Sequence, residues 1–277
     1  MDGPSGPVTG LFCHCSSMSE LARKKLIVAL DVDSAERALY LFEALSDAAG
    51  VFKIGMQLFT ATGPDIVRQI VSRGGRVFLD LKYHDIPNTV AMAAIEATRL
   101  GVSLFNIHAS GGREMMQRTA DAVAEVATRE NLAKPKILGV TVLTSTDQET
   151  LKQNGVEEEP AMVVSRLASL AQASGLDGVV ASAQEIKIVR ESIAHPDFLI
   201  VTPGIRAASG EAHDQRRTMT ATEAIRAGAD YLVIGRPILA TADPVRAARD
   251  FVDEIDQALL TSTQPDFAEQ SRTQSVQ

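Results

Sequence analysis

The chain has 277 residues, 45% of them hydrophobic and 22% charged, which is ample apolar material for one large core. Its net charge of −8 excludes the broad basic face that a nucleic-acid partner needs, although a local basic pocket for a small anion remains open. No apolar run reaches the roughly 18 to 20 residues that span a bilayer, and residues 1–17 lack the n-region and h-region of a secretory signal, so the chain reads as cytoplasmic.

In chain order, residues 1–22 read as a disordered leader rich in Gly and Pro (Gly3, Pro4, Gly6, Pro7, Gly10), with Met18 as an alternative start. Cys13-His14-Cys15 groups three metal-binding side chains. Structural zinc, however, takes Cys pairs two to four residues apart and four ligands, so no metal is expected. From there the chain alternates β-branched apolar runs with amphipathic ones. Strand-like runs fall at Leu26–Asp31, Val51–Gly55, Arg76–Leu81, Val102–Ile107, Lys136–Val142, Gly178–Ala181, Phe198–Thr202 and Tyr231–Ile234. Helix-like runs follow at Ala35–Leu45, Pro64–Val71, Thr89–Arg99, Glu114–Arg129, Ala161–Ala173, Gln184–Ile193, Ala221–Ala227 and Pro244–Leu259. Asn88 is expected as an N-cap, Gly101, Gly175 and Gly228 as helix ends, and Pro244 in a first turn.

Strand–helix pairs of this number predict an α/β fold, a single-domain (β/α)₈ TIM barrel over residues 23–260, followed by a flexible polar tail at 261–277. The rival, a doubly wound open sheet, lacks its Gly-x-Gly-x-x-Gly after the first strand.

Active sites of such barrels lie at the C-terminal ends of the strands. Asp31 ends the first strand there, Lys53 lies in the second, and Asp80 and Lys82 end the third. Thr144 and Ser145 follow the fifth, Thr202-Pro203-Gly204-Ile205-Arg206 closes the seventh, and Ile234-Gly235-Arg236-Pro237 the eighth. Singly, each has a plain structural reading: Asp31 as a turn residue, Lys53 as a snorkelling lysine, the glycines as loop residues. Their common rim favours a site.

In Phe78-Leu-Asp80-Leu-Lys82, a period of two sends Phe78, Asp80 and Lys82 to one face and Val77, Leu79 and Leu81 to the helix-covered one. Alternating charges on an inward face are tolerated when they pair or do chemistry. Gly204, Gly235 and Arg236 suit a phosphate, because loops after the seventh and eighth strands commonly bind one and glycine lets backbone N–H groups approach. The polar segment from Gly204 to Met219, with Gln215, Arg216 and Arg217, has the composition of a loop that closes over it.

The run Asp80-Leu-Lys-Tyr-His-Asp-Ile-Pro-Asn-Thr89 closely resembles the D-x-K-x-x-D-I-P-x-T motif of the orotidine 5′-phosphate decarboxylase family, in its bacterial branch. Leu30-Asp31, Phe52-Lys-Ile-Gly55, Val140-Thr-Val-Leu-Thr-Ser145, Pro203-Gly-Ile-Arg206 and Ile234-Gly-Arg236 recur in the family's order, so the resemblance spans roughly residues 26–255. It implies decarboxylation of orotidine 5′-phosphate to uridine 5′-phosphate, the last step of de novo UMP synthesis, without cofactor or metal. By resemblance Lys82 protonates C6, and Lys53, Asp80, Lys82 and Asp85 form a charge network. Asp31 and Lys53 bind the ribose, Thr144 and Ser145 flank the pyrimidine, and Ile86, Pro87 and Pro203 join the substrate site. Arg206, Gln215, Gly235 and Arg236 serve the phosphate. The family also implies a homodimer with shared active sites, in which Asp85 and Thr89 reach the neighbouring one.

Two rivals stand beside it. A metal-dependent decarboxylase of a 3-keto-acid sugar phosphate shares D-x-K-x-x-D but requires acidic metal ligands at strand ends. A non-catalytic phosphate-ligand sensor is the other, and it has no need of both Asp80 and Lys82. The Ile86-Pro87-Asn88-Thr89 continuation and Lys53 favour the first reading.

Overall fold

Residues 20–193, 195–206 and 219–262 are described by a computed structural model of the chain. Gln215, most of its loop, residues 1–19 and residues 263–277 lie outside them. Residues 20–25 are helical, and Ala22 within them is fully buried, so ordered structure precedes the expected start at 23.

Strands β1 (Leu26–Ala29), β2 (Val51–Gly55), β3 (Val77–Tyr83), β4 (Leu104–His108), β5 (Lys136–Val140), β6 (Gly178–Val180), β7 (Leu199–Pro203) and β8 (Tyr231–Ile234) form a closed barrel. Each is parallel to its neighbours, and β1 closes the ring on β8 through Leu26↔Leu232 to Val28↔Ile234. The expected (β/α)₈ fold is therefore present. A parallel strand can return only through a crossover, and the amphipathic runs between strands supply it as helices packed outside.

The period-of-two alternation divides the apolar residues into two clusters. Ile27, Ala29, Val51, Phe78, Leu104, Leu138, Val201 and Val233 fill the barrel interior. Val28, Phe52, Ile54, Val77, Leu79, Phe105, Ile107, Ile200 and Leu232 face outward and pack beneath the helices. The interior is a packed core, closed below, whose polar end opens at the C-terminal rim.

Boundaries moved where local chemistry differed from the pattern. The helix Ala35–Leu45 begins at its Ser34 cap, whose side chain accepts the N–H of Arg37. The helix expected from Thr89 begins at Pro87, because proline lacks the N–H that the first turn leaves unused and holds the φ the helix needs. Asn88 is accordingly not an N-cap. It sits inside the first turn, where its Oδ1 accepts a hydrogen bond from Arg118 of the next helix. Gly101, Gly175 and Gly228 do end helices, all at positive φ. The helix Met56–Thr62 was not foreseen, since its only buried side chain is Leu58 and seven residues carry little periodic signal.

The N-terminal end of the barrel is a stability face. Arg190 spans it, donating to the carbonyls of Phe198 and Gly228 and to the Asp230 carboxylate, which also accepts the N–H of Ile200. One guanidinium thus ties the approaches to β7 and β8. Truncation with Arg190→Ala leaves a carboxylate and two carbonyls short of a donor and is expected to cost about 2–4 kcal/mol. Chemical denaturation measures it, with turnover at low temperature retained, and an unchanged midpoint would refute the role.

Candidate active site

The C-terminal rim encloses a cavity of about 330 Å³, at the lower end of small-ligand sites. Every barrel strand or the loop that follows it contributes lining: Ala29 and Asp31, Lys53, Phe78 with Asp80 and Lys82, Asn106, Val140 with Val142 to Thr144, Val180 to Ser182, Pro203 to Arg206, and Val233 with Gly235 to Pro237.

Four charges form a row across it. Lys53 Nζ donates to Asp31 Oδ1 at 2.9 Å and lies 3.4 Å from Asp80 Oδ2. Lys82 Nζ donates to the other oxygen, Asp80 Oδ1, at 2.6 Å. Asp80 and Lys53 are buried, Lys82 is half-buried and Asp31 stands exposed at the mouth. Burial alone pushes the Asp80 carboxyl up, but the ammonium groups of Lys53 and Lys82 and the bonds from Lys82 and Asn106 more than offset it. The net effect holds Asp80 below the ordinary carboxylate range, so it is ionised at neutral pH. Gly55 keeps this row open: a Cβ there would lie 2.9 Å from Lys53 Nζ and 3.3 Å from Asp31 Oδ1.

Lys82 departs from regular strand geometry. Its φ is +51°, and the β3–β4 register shifts between Leu79 and Tyr83. A lysine in the left-handed region is strained, and such strain gathers at functional sites. The rearrangement turns Lys82 N–H to Asn106 Oδ1 at 2.8 Å, while Asn106 Nδ2 donates to Asp80 Oδ1 at 2.7 Å. Beyond it, the His84 and His108 rings stack with centroids 5.2 Å apart. Burial first, and then the neighbouring His84 and Lys82, hold His108 below the usual imidazole range, so it is neutral at pH 7.

Of the residues expected from sequence, the cavity gathers Asp31, Lys53, Asp80, Lys82, Thr144, Pro203, Arg206, Gly235 and Arg236. Ser145, Asp85, Ile86, Pro87 and Thr89 do not line it; of these only Pro87 is not exposed. Gln215 lies outside the described residues. Asn106 was missed, although a signal existed: it shares the inward face of β4 with Leu104, where a lone amide needs a partner. Ser182, which shares a short contact with buried Glu185, and the apolar wall Val180–Ala181 gave no sequence signal. Among the described residues no group of three or more His, Cys, Asp or Glu side chains could hold a metal ion, and Asp31 and Asp80 are both engaged by Lys53.

A family model described as "Orotidine 5′-phosphate decarboxylase / HUMPS family" matches residues 24–251. The chain is 55% identical over 238 residues to the orotidine 5′-phosphate decarboxylase of Syntrophotalea carbinolica, covering 86% of this chain and 97% of that one. It is 56% identical over 234 residues to that of Geobacter sulfurreducens, covering 84% and 97%. The solved structure of orotidine 5′-phosphate decarboxylase from Lactobacillus acidophilus superposes with a TM-score of 0.73 at 37% identity, covering 83% of this chain and 98% of that one. With a closed barrel, a rim of paired charges, a family model that matches most of the chain and two relatives identical at more than half of the aligned positions, the chain belongs to the orotidine 5′-phosphate decarboxylase / HUMPS family.

Proposed function

We propose that this protein decarboxylates orotidine 5′-phosphate to uridine 5′-phosphate in pyrimidine biosynthesis, in the cytoplasm and without cofactor or metal. The observation that carries the reading is the row Asp31–Lys53–Asp80–Lys82 inside one cavity that Gly204, Arg206, Gly235 and Arg236 also line. The identity to relatives named for this activity supports it.

The chemistry follows from where charge develops. Breaking the C6–CO₂ bond leaves its electron pair in an sp² orbital that the pyrimidine ring cannot delocalise. An ammonium held beside C6 stabilises that pair as it forms and then donates a proton to it, leaving a neutral amine that solvent reprotonates. Lys82 is the cation that can do this, because the Asp80 carboxylate holds its Nζ over the cavity. Its attraction for the carbanion exceeds that for the neutral ring carbon, and such differential interactions raise the rate. General-acid donation alone supplies about 10²–10⁴-fold, so fixed charges and closure around the phosphate must supply more.

Asp31 and Lys53 take the ribose hydroxyls, Thr144 the pyrimidine edge, with Ser145 next to it in the chain and Pro203 nearby, and Arg206, Gln215, Gly235 and Arg236 the phosphate. Asp85, Ile86, Pro87 and Thr89 serve across a homodimer interface. Ile86 and Met92, on the same segment, are 67% and 50% exposed in the single chain, as a surface awaiting a partner is.

Loss of orotidine 5′-phosphate absorbance, followed with and without EDTA, is expected to be rapid and indifferent to the chelator; EDTA-sensitive loss would overturn the metal-free reading, and no loss by the folded protein would favour the sugar-phosphate or sensor reading instead. Lys82→Ala is expected to lose at least about 10³-fold in kcat while product binding survives. Activity above a few per cent of wild type would exclude Lys82 as the acid. Arg236→Ala should weaken uridine 5′-phosphate binding by about 10-fold or more and leave uridine binding unchanged. Equal losses for both would show that Arg236 does not read the phosphate. Mixed Lys82→Ala and Asp85→Ala chains are expected to recover activity that neither has alone. No recovery in a mixture shown to exchange subunits would sink the shared site.

A further inference from the structure

We infer that Asn106 is a positioning residue for this decarboxylation, holding Lys82 and Asp80 in register with each other through a single side-chain amide. The inference rests on the proposed reaction and deepens it by adding a residue outside the charged row.

Asn106 is 1% exposed on the inward face of β4. Its orientation is fixed by chemistry. The Lys82 backbone N–H can only donate, so the atom 2.8 Å from it is the Oδ1 acceptor. Nδ2 is thereby turned to Asp80 Oδ1 at 2.7 Å, the same oxygen that Lys82 Nζ reaches at 2.6 Å. One planar group therefore sets two things together. It captures the N–H of the residue whose φ is +51°, within the segment where the β3–β4 register slips. It also fixes the carboxylate rotation, leaving Oδ1 for Lys82 and Oδ2 for Lys53. An amide does this without adding charge to a row of two carboxylates and two ammonium groups. Without it, the Asp80 carboxylate is free to turn, and Lys82 loses the acceptor that compensates its unfavourable backbone. The ammonium would then no longer be aimed where C6 must lie.

The test is kcat and KM for orotidine 5′-phosphate in wild type, Asn106→Ala and Asn106→Asp, between about pH 5 and about pH 8, with thermal midpoints and a crystal structure of Asn106→Ala. Asn106→Ala is expected to lose about 10²-fold in kcat with KM within about threefold, the mark of misplaced chemistry rather than lost binding. Asn106→Asp supplies a rescue that a merely structural role does not predict. A protonated carboxyl is isosteric with the amide and has the same donor and acceptor, and two adjoining carboxyls share a proton more readily as pH falls. Its kcat relative to wild type should therefore rise from about pH 8 to about pH 5. A kcat for Asn106→Ala within about twofold of wild type, or a flat Asn106→Asp ratio, overturns the inference. The crystal structure reads the same point without turnover: Lys82 leaving positive φ or Asp80 turning from it supports the role, and unchanged geometry overturns it. Wild-type protein that leaves orotidine 5′-phosphate untouched sinks the reaction instead, while the crystal structure still decides whether Asn106 holds Lys82.

Discussion

A buried carboxylate shared by two ammonium groups is the constraint around which this barrel's rim is arranged. Asp80 is 8% exposed, a position at which an isolated anion would take up a proton. It stays ionised because Lys53 and Lys82 reach its two oxygens from different strands. The dependence is mutual: without Asp80, two cations would be left facing each other in a low-dielectric cavity, and a broken buried pair costs far more than the intact pair contributes. Around this centre the other rim features make sense, including a glycine at 55 that leaves room for Lys53 and an asparagine at 106 that orients the anion.

The barrel makes such an arrangement possible by separating tasks along its axis. Interior apolar side chains and the Arg190 and Asp230 contacts secure the lower end, so the strand ends above can tolerate a slipped register and a left-handed lysine. Strain at Lys82 is sustained by neighbours that are not themselves strained, which is how a fold holds a reactive group in an unfavourable conformation. The proposed reaction makes use of that rigidity. Fixed charges that need no reorganisation as the carbanion forms stabilise it more than mobile water does.

Asp85, Ile86, Asn88, Thr89 and Met92 form an exposed face after the charged row. These side chains do not line the cavity of their own subunit, yet Asp85 is only three positions beyond Lys82 in the chain. A homodimer that covers this face would couple the interface to the position of the proposed acid through three residues of backbone. The two stacked imidazoles of His84 and His108 lie along that route.

The sequence by itself determined the alternation of strands and helices, the inward facing of Asp80 and Lys82, and the placement of charges at one rim. Each of these follows from a local period of two or from position relative to a strand end. It also carried a ten-residue motif specific enough to indicate the family. It did not reveal Asn106 as a partner of Asp80, because their separation of 26 in sequence is closed only when β3 pairs with β4. Nor did it show that Lys82 has left-handed backbone, which depends on a register slip that no pattern within β3 records. Asn88 read as a cap because its residue type suits one, and Pro87 took the helix start because its ring had already fixed the backbone. Periodicity is a property of neighbours in the chain, whereas the pairing of buried charges is a property of neighbours in space; only the closed barrel decides the second.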